Sequence, residues 1–352
     1  MHGLKLVLLY IAKYCGLFSL ARLISRRGLR ILCYHGFSLR DEHIFRPKLF
    51  ITPDTFKQRL KTINKLGYSV ISLDDAVHAL ETGDSLIWKV VITIDDGWHS
   101  TAEIAAPCLA SHGFPWTLYL TTYYAEKQTP IVNVAIHYLV WKSTRLHISL
   151  AAFNSEIDSN VYLRTNREKH AFAESMLKKA AKLNTAEARH DFLRNLAIAL
   201  EVDLSEIEKT RILHIMTLDT ARDLYQKGGD IQLHTHRHIL VHGNKEQILL
   251  EIEDNRRRVS AIGNLNAVHF CYPSGEYAIQ DYVHLAECGI KSATTCNPGL
   301  NFKSANLLAL CRFLDGENIS QIEFEAELSG FSHFIRPHRK SLSSSKAMGD
   351  KL

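Results

Sequence analysis

One stretch constrains the fold more than any other: an apolar run of mostly β-branched residues that ends in two carboxylates. It reads Val90-Val91-Ile92-Thr93-Ile94, followed by Asp95, Asp96 and Gly97. An apolar run without polar alternation is typical of a strand buried on both faces of a parallel sheet. Loops converge at the carboxyl ends of such strands, and functional residues are placed there. The run therefore predicts a site at Asp95 and Asp96, and an Asp-Gly turn without a function remains the alternative.

A second apolar stretch ends in histidines. Asp230-Ile231-Gln232-Leu233 predicts a short strand, and His234, His236 and His238 follow it. Neutral imidazole is the commonest metal-ligating side chain, and a catalytic ion needs about three protein ligands and one open position. The chain contains 19 histidines, so a His-x3-His pair can also arise by chance. Because these histidines end a strand as the two aspartates do, the sequence favours a metal site over a chance pair.

Strand and helix signals alternate on both sides of these stretches. Further strands are predicted at 30–34, around 70, and at 116–120, 268–272 and 292–294. Thr52 and Ser72 are predicted to cap helices between them, and Gly67 and Gly83 to end those helices. This alternation implies parallel strands with right-handed crossovers, and about seven or eight such strands predict an α/β fold, a distorted (β/α) barrel.

The predicted domain covers residues 30–330 and carries one insertion. Residues 130–226 hold helix-periodic segments and no convincing strand, which predicts a helical insertion between two barrel strands. The insertion is either a lid or wall of a substrate groove, or a stabilising appendage without substrate contact. Residues 331–352 are rich in serine and basic residues, and they predict a disordered basic tail.

Residues 1–29 form a separate N-terminal segment. They open with an apolar run that Lys13 interrupts, and Arg22, Arg26 and Arg27 follow. The run is too short and too charged to span a bilayer and lacks a small-residue cleavage site, so a secretory signal is not favoured. The segment predicts an amphipathic helix that either lies on a membrane as a peripheral contact or packs on the domain. A cytoplasmic or membrane-associated location is therefore expected rather than secretion.

Composition excludes several classes of protein. The 352 residues are 46% hydrophobic and 22% charged, which is enough apolar material for one full domain core. The net charge of +5 comes from basic residues spread along the chain, so no nucleic-acid partner is expected. The seven cysteines lack C-x-x-C spacing, which argues against a disulfide framework or a structural zinc site.

Several of these stretches together resemble the polysaccharide deacetylases, the NodB-like carbohydrate esterases. The resembling stretches are Thr93–Gly97 for the T-F-D-D-G signature, His234–His238 for the H-T-x-x-H element and Phe270–Gly275 for the F-x-Y-P-Y-G loop. Thr52–Phe56 and Leu66–Tyr68 resemble the segment that these enzymes carry before the Asp pair. The resemblance covers roughly residues 30–330 and implies the distorted (β/α) barrel of the NodB type.

Within that family, the chain is most similar to the poly-N-acetylglucosamine deacetylase type, whose catalytic acid is a histidine in an early Tyr-His motif. This chain has Tyr34-His35. The resemblance implies a hydrolase that removes N-acetyl groups from an N-acetylhexosamine-containing polysaccharide or oligosaccharide and releases acetate. Two alternatives stay open: a hydrolase of a non-sugar amide on the same metal site, and a non-catalytic carbohydrate-binding scaffold.

The resemblance also implies a metal centre. Asp96, His234 and His238 match the ligands of a divalent ion, which is expected to be zinc, with cobalt, nickel or manganese as alternatives. His236 lies between the two histidine ligands and should point the other way on an extended segment.

Three further residues match the catalytic positions of the family. Asp95 would be the base, His35 the acid that protonates the departing amine, and Tyr272 the donor whose backbone N–H stabilises the oxyanion. Ile94 and Ser274 depart from the family pattern, because each replaces an aromatic residue. The change at Ser274 bears on how a sugar ring packs against the loop.

Overall fold

The computed structural model describes residues 2–149 and 160–336, and most of the predicted tail at 331–352 lies outside them. Within the described residues the chain divides into two compact units. The first unit runs to Tyr123 and resumes at Met216, and the second is Tyr124–Ile215. All the site residues predicted from the sequence lie in the first unit.

The strands and helices are numbered in chain order. The strands are β1 (Arg30–Tyr34), β2 (Gly36–Phe37), β3 (Phe50–Ile51), β4 (Ser69–Val70), β5 (Lys89–Asp96), β6 (Thr117–Leu120), β7 (His147–Ser149), β8 (Asn160–Tyr162), β9 (Asp230–Leu233), β10 (His269–Cys271), β11 (Ser292–Thr294) and β12 (Phe313–Leu314). The α-helices are α1 (His2–Tyr14), α2 (Leu17–Ile24), α3 (Glu42–Phe45), α4 (Pro53–Lys65), α5 (Leu73–Thr82), α6 (Ala106–His112), α7 (Tyr123–Lys127), α8 (Val132–Lys142), α9 (Asn166–Ala180), α10 (Ala186–Leu200), α11 (Leu204–Thr210), α12 (Leu218–Gln226), α13 (Lys245–Ala261), α14 (Tyr282–Glu287), α15 (Gln321–Leu328) and α16 (Phe331–Ile335).

A parallel sheet forms the centre of the first unit. Its strand order is β11-β10-β9-β6-β5-β1-β12, and β4 pairs in addition with the first residues of β5. An isolated parallel bridge joins Thr294, in one edge strand, to Leu310, just before the other edge strand. The sheet is therefore curled with its edges brought toward each other, and the predicted distorted (β/α) barrel is confirmed.

The strand β5 is a central, buried strand of the sheet. It lies between β1 and β6, and every residue from Val90 to Asp96 is buried. A strand that is covered on both faces has no solvent side on which polar residues could alternate, which explains its unbroken apolar run. The sequence prediction of this strand is confirmed, and its buried end places two carboxylates inside the protein.

Two predicted helix caps are present as well. The side chain of Thr52 accepts a hydrogen bond from the N–H of Thr55 at the start of α4, and Ser72 does the same for Asp75 at the start of α5. Gly83 ends α5 with a φ of 86°, a left-handed conformation that glycine adopts without a steric penalty. These helices lie between β3 and β5 in the sequence, and α5 packs its buried face against β1 and β5 of the sheet.

The second unit is mostly helical and contains α8 to α11. It also contains a two-stranded antiparallel sheet, in which Ile148 of β7 pairs with Val161 of β8. The expectation that residues 130–226 lack strands is therefore wrong at this pair. Each strand has three residues, which is too short to display the two-residue period on which a strand prediction rests. The helix α12 belongs to the first unit, where it precedes β9.

The N-terminal helices pack on helices near the other end of the first unit. An apolar cluster joins them, formed by Leu9, Ala12, Phe18, Ile322 and Ala326. Lys5 forms an ion pair of 2.6 Å with Glu323, and Lys13 pairs with Glu325. Packing on the domain, one of the two alternatives for this segment, is therefore observed for one face of these helices.

The same helices are the candidates for a membrane span among the described residues. No single helix there is long and apolar enough to cross a bilayer. The helices α1 and α2 satisfy that test of length and composition only together, across a break that bends the pair by 75°.

Candidate functional site

The predicted site residues stand at the carboxyl ends of neighbouring strands. In the sheet, β1, β5, β6, β9 and β10 are consecutive neighbours. His35 follows β1, Asp95 and Asp96 end β5, His234 follows β9, and Tyr272 follows β10. Because parallel strands present their carboxyl ends at the same edge of a sheet, residues far apart in the sequence meet there.

Asp96, His234 and His238 form a buried cluster. The Oδ1 atom of Asp96 lies 3.2 Å from Nε2 of His234 and 3.4 Å from Nε2 of His238. The two imidazole rings are 4.8 Å apart, edge to face. The other carboxylate oxygen of Asp96 accepts a hydrogen bond of 2.9 Å from the indole N–H of Trp98, which is fully buried. One carboxylate oxygen and two imidazole nitrogens therefore lie within 4.8 Å of one another.

Uncommon backbone conformations accompany this cluster. Asp96, Thr235 and His238 have φ angles of 70°, 60° and 58°. Residues with a β-carbon rarely adopt this left-handed region, and holding one there costs on the order of 1 kcal/mol or more. Such strain persists where the surrounding structure fixes it, and it is concentrated at functional sites. Here it occurs at two of the three clustered residues and directly after the third.

The orientation of His234 is fixed by backbone and amide groups. Its Nδ1–H donates to the carbonyl oxygen of Cys271 at 2.8 Å, and its backbone N–H donates to Oδ1 of Asn255 at 2.9 Å. Asn255 is itself held by hydrogen bonds from its amide to the carbonyl of Leu120 and the hydroxyl of Thr122. With the proton on Nδ1, the Nε2 lone pair of His234 faces Asp96. This arrangement is the one that metal-ligating histidines use.

The donor set fits a divalent metal ion. Asp96 Oδ1 is buried and accepts no hydrogen bond from the residues that the structure describes, so a full or partial negative charge there lacks compensation. Burial and the neighbouring His234 lower the pKa of His238 to about 4, so its imidazole is neutral and its lone pair is available. Two nitrogen lone pairs beside an uncompensated carboxylate oxygen repel one another unless a cation or a proton lies between them. Two histidines and one carboxylate are also a common ligand set of catalytic zinc.

Asp95 has a different electrostatic partner. Arg312 donates two parallel hydrogen bonds of 2.7 Å to its two carboxylate oxygens. The thiols of Cys33 and Cys271 lie 3.4 and 3.3 Å from Oδ2. Burial would raise the pKa of Asp95, but the Arg312 guanidinium holds it well below its usual range. Asp95 is therefore an ionised carboxylate near neutral pH, and Arg312 is the main partner of its charge.

His35 also lies near Asp95. Its Nε2 is 3.8 Å from Oδ2 of Asp95, and 16% of its side chain is exposed. It is thus reachable from solvent, whereas Asp95 and Asp96 are at most 2% exposed. The structure brings His35 to the same edge of the sheet as the two aspartates.

Tyr272 is placed beside the site, but its backbone donor is occupied. The N–H of Tyr272 donates to the carbonyl of Thr294 at 3.2 Å, because the ladder between β10 and β11 continues one residue beyond β10. Its hydroxyl donates to the carbonyl of Leu308 at 2.8 Å. The role of this N–H in holding an oxyanion stays a prediction, and in this structure the N–H serves the sheet.

His236 points away from the cluster, as its position between the two histidines predicts. Its Nδ1 is 2.9 Å from the hydroxyl of Thr122, and its ring lies edge to face against Tyr123. It is 3% exposed and contributes no ligand atom to the Asp96 group. Its contacts are those of a structural residue that fixes the loop carrying His234 and His238.

Sequence reasoning missed several residues of the site. Arg312, Asn255 and Trp98 hold Asp95, His234 and Asp96 in place, and none of them was singled out. One signal was present for Arg312, because it is the only charged residue between Leu307 and Leu314, in an otherwise apolar run that leads into a strand. A charged residue inside such a run is buried only with a partner, and a buried carboxylate is the natural one.

Comparison with known proteins finds a family model that matches part of this chain. Residues 204–293 match the family model described as polysaccharide deacetylase, a range that includes His234, His238 and Tyr272. No curated protein matches the sequence.

Solved structures agree with the fold. The chain is similar to the Streptococcus pyogenes deacetylase PplD, solved in complex with acetate, with 18% identity, a TM-score of 0.56 and coverage of 86% of this chain and 98% of that one. It is similar to IcaB from Ammonifex degensii with 15% identity, a TM-score of 0.54 and coverage of 86% and 97%. It is also similar to a de-N-acetylase from Aggregatibacter actinomycetemcomitans, with 12% identity, a TM-score of 0.51 and coverage of 85% of this chain and 99% of that one. Because these sequence identities are low, the similarity to the solved structures shows a shared fold and nothing more.

The metal centre gives the first prediction. Replacing His234 or His238 with alanine should lower the affinity for Zn²⁺ by more than about 100-fold, because a first ligand matters more than the outer groups whose loss costs about 10- to 100-fold. His236→Ala is the matched control from the same loop and should keep its metal. Metal content after dialysis and a Zn²⁺ titration measure both. Equal metal content in all three variants would refute this ligand set.

Proposed function

We propose that this chain, whose residues 204–293 match the polysaccharide deacetylase family model, is a metal-dependent hydrolase that removes N-acetyl groups from an N-acetylhexosamine-containing polysaccharide or oligosaccharide and releases acetate. The observation that carries the proposal is the pair of buried, adjacent carboxylates, one facing two imidazoles and the other bound by an arginine. A binding scaffold would have no need to bury this charge.

The Asp96 cluster would hold the metal ion. Asp96, His234 and His238 supply one anionic oxygen and two neutral nitrogens, which suits zinc, and cobalt, nickel and manganese accept similar ligands. A divalent ion at these residues supplies a Lewis acid for the acetamide carbonyl and increases the acidity of water. Trp98 and the Cys271 carbonyl orient two of the ligands, so the protein provides the site in a preformed state.

Asp95 would accept the proton of the attacking water. Its pKa well below the usual range keeps it ionised, and Arg312 holds the carboxylate in one orientation. Because Asp95 and Asp96 are consecutive residues, the proton acceptor and the metal ligand are placed next to each other by the chain itself. Pre-positioning a base in this way removes the entropic cost of bringing it to the reaction.

His35 would donate a proton to the departing amine. Amide nitrogen is a poor leaving group until it is protonated, and imidazole is the side chain suited to this transfer near neutral pH. The Nε2 atom of His35 lies 3.8 Å from Oδ2 of Asp95. At this distance Asp95 can act on the attacking water while His35 acts on the departing nitrogen of the same acetamide group. The net reaction consumes one water and yields acetate and a free amine.

The comparisons support the proposal that the bond cleaved is the one to an acetyl group. The Streptococcus pyogenes protein is described as a deacetylase in complex with acetate, and the Aggregatibacter actinomycetemcomitans protein as a de-N-acetylase. The preferred saccharide depends on the loop after β10. Ser274 occupies a left-handed conformation there, with a φ of 57°, where the family pattern has an aromatic side chain. We infer that this loop packs against the sugar ring with less area than an aromatic residue would give.

Acetate release from soluble N-acetylglucosamine oligomers tests the proposal, beside a panel of non-sugar acetamides. Asp95→Asn should lower the rate by about 10²- to 10⁴-fold while metal content is unchanged, because the isosteric amide cannot accept a proton. Asp96→Asn should lower metal content as well as rate. Release from simple acetamides but not from the oligomers would identify the non-sugar alternative, and release from neither by the metal-loaded protein would refute the proposal.

Arg312 provides a prediction on pH. Without the guanidinium, burial would dominate and raise the pKa of Asp95, so this carboxyl would be protonated at a higher pH than in the parent protein. In Arg312→Met, the acid limb of the kcat/KM profile should therefore move to higher pH, while metal content is retained. Arg312→Lys, which keeps the charge but loses the two-pronged contact, should move it less. An unchanged acid limb in Arg312→Met would separate Asp95 from the rate-limiting proton transfer.

His35 can be tested through the leaving group. His35→Ala should retain metal, and its rate on the acetamide substrate should fall by about 10²-fold or more, as for other general acids. On an activated acetate ester the defect should be smaller, because that leaving group departs without a proton. Parallel kinetics on both substrates measure the ratio, and an equal loss on both would remove His35 from the role of acid.

A further inference from the structure

The helices α1 and α2 are apolar on two faces, and the domain covers only one of them. The inner face contains Leu9, Ala12, Phe18 and Ala21, all buried. It packs against α15 and is fastened by the ion pairs of Lys5 and Lys13. A helix that needed only to pack on a domain would carry polar residues on its other face.

The outer face consists of large apolar side chains. These are Leu4, Val7, Leu8, Ile11 and Tyr14 on α1 and Leu17, Leu20, Leu23 and Ile24 on α2, and they are between 43% and 84% exposed. On α1 they follow the spacing i, i+3, i+4, i+7 of one continuous helical face. Exposed apolar residues scattered singly need no explanation, whereas a contiguous patch of this kind marks an interaction surface.

The charge around this face has one sign. Residues 1–29 contain five basic residues and no acidic residue. The side chains of Arg26 and Arg27, directly after α2, are exposed. Arg22 is partly buried, and its guanidinium lies 4.7 Å from the ring of Trp88. Trp88 is 36% exposed, and its backbone N–H donates to the carbonyl of Arg26. An apolar face, an adjoining cationic end and an indole beside it are the features of a helix that lies in a membrane interface.

We propose that the outer face of α1 and α2 binds the surface of a bilayer containing anionic phospholipids, and that the two helices lie in the headgroup region. The outer face of α1 offers few polar groups for the directional hydrogen bonds that a specific protein partner would use. A second copy of the chain would bring two basic ends together in a symmetric contact, which like charges oppose. Anionic lipid satisfies both the apolar and the basic part of the surface.

Flotation with vesicles of phosphatidylglycerol and phosphatidylcholine tests this. The full chain should float with these vesicles. Leu8→Glu combined with Leu20→Glu, one change on each helix, should reduce binding by about 100-fold, which corresponds to about 1.5 kcal/mol for each leucine removed from lipid. The matched control is Ile198→Glu combined with Leu265→Glu, two leucine-sized side chains that are 69% and 79% exposed elsewhere, and it should bind as the parent does.

The basic end is tested separately. Arg26→Gln combined with Arg27→Gln should reduce binding to the anionic vesicles by about 30-fold, from about 1 kcal/mol for each basic residue, and leave binding to pure phosphatidylcholine vesicles unchanged. All these variants should release acetate from soluble oligomers at the parental rate, so the outcome is independent of the proposed activity. Unchanged flotation of the double glutamate variant, or no flotation of the parent, would overturn the proposal. A dimer in sedimentation that the double glutamate variant dissociates, without vesicle binding, would identify a second copy as the partner instead.

Discussion

Asp95 and Asp96 are adjacent in the sequence and buried together at the end of β5, a position that two carboxylates can occupy only if positive charge is supplied to each. The protein supplies it to Asp95 itself, through the two hydrogen bonds from Arg312. For Asp96 the protein supplies two imidazoles and an indole N–H, and no described residue donates a hydrogen bond to Oδ1. The difference between these two environments is what allows two identical side chains to take different roles.

That electrostatic arrangement depends on geometry set by the sheet. Arg312 reaches Asp95 from just before β12, an edge strand that β1 separates from β5. His234 is oriented from the opposite side, by the Cys271 carbonyl at the end of β10. Removing one partner of a buried ion pair costs about 3–5 kcal/mol, so the curled sheet and the site stabilise each other.

The surface formed by α1 and α2 follows a different principle. Inside the first unit Asp95 is paired with Arg312, whereas the outer face of these helices is apolar and left uncovered by the described residues. Lys5 and Lys13 do not make that face polar, because they are paired with Glu323 and Glu325 on the inner side. The cost of exposing these side chains to water is the driving force for a surface partner.

The sequence by itself determined the elements whose information is local. The apolar run of β5, the caps at Thr52 and Ser72, the histidines that follow β9 and the alternation of strands and helices could all be predicted, because periodicity and capping involve residues within a few positions of each other. The antiparallel pair of β7 and β8 was too short to show a period. Tertiary structure alone decided the partners: Arg312 contacts Asp95 across 217 positions and Asn255 holds His234 across 21. It also decided that the Tyr272 N–H joins the sheet and that one face of α1 is buried while the other is exposed. Such pairings depend on strand register and on which side a helix packs, and no short stretch of sequence contains either.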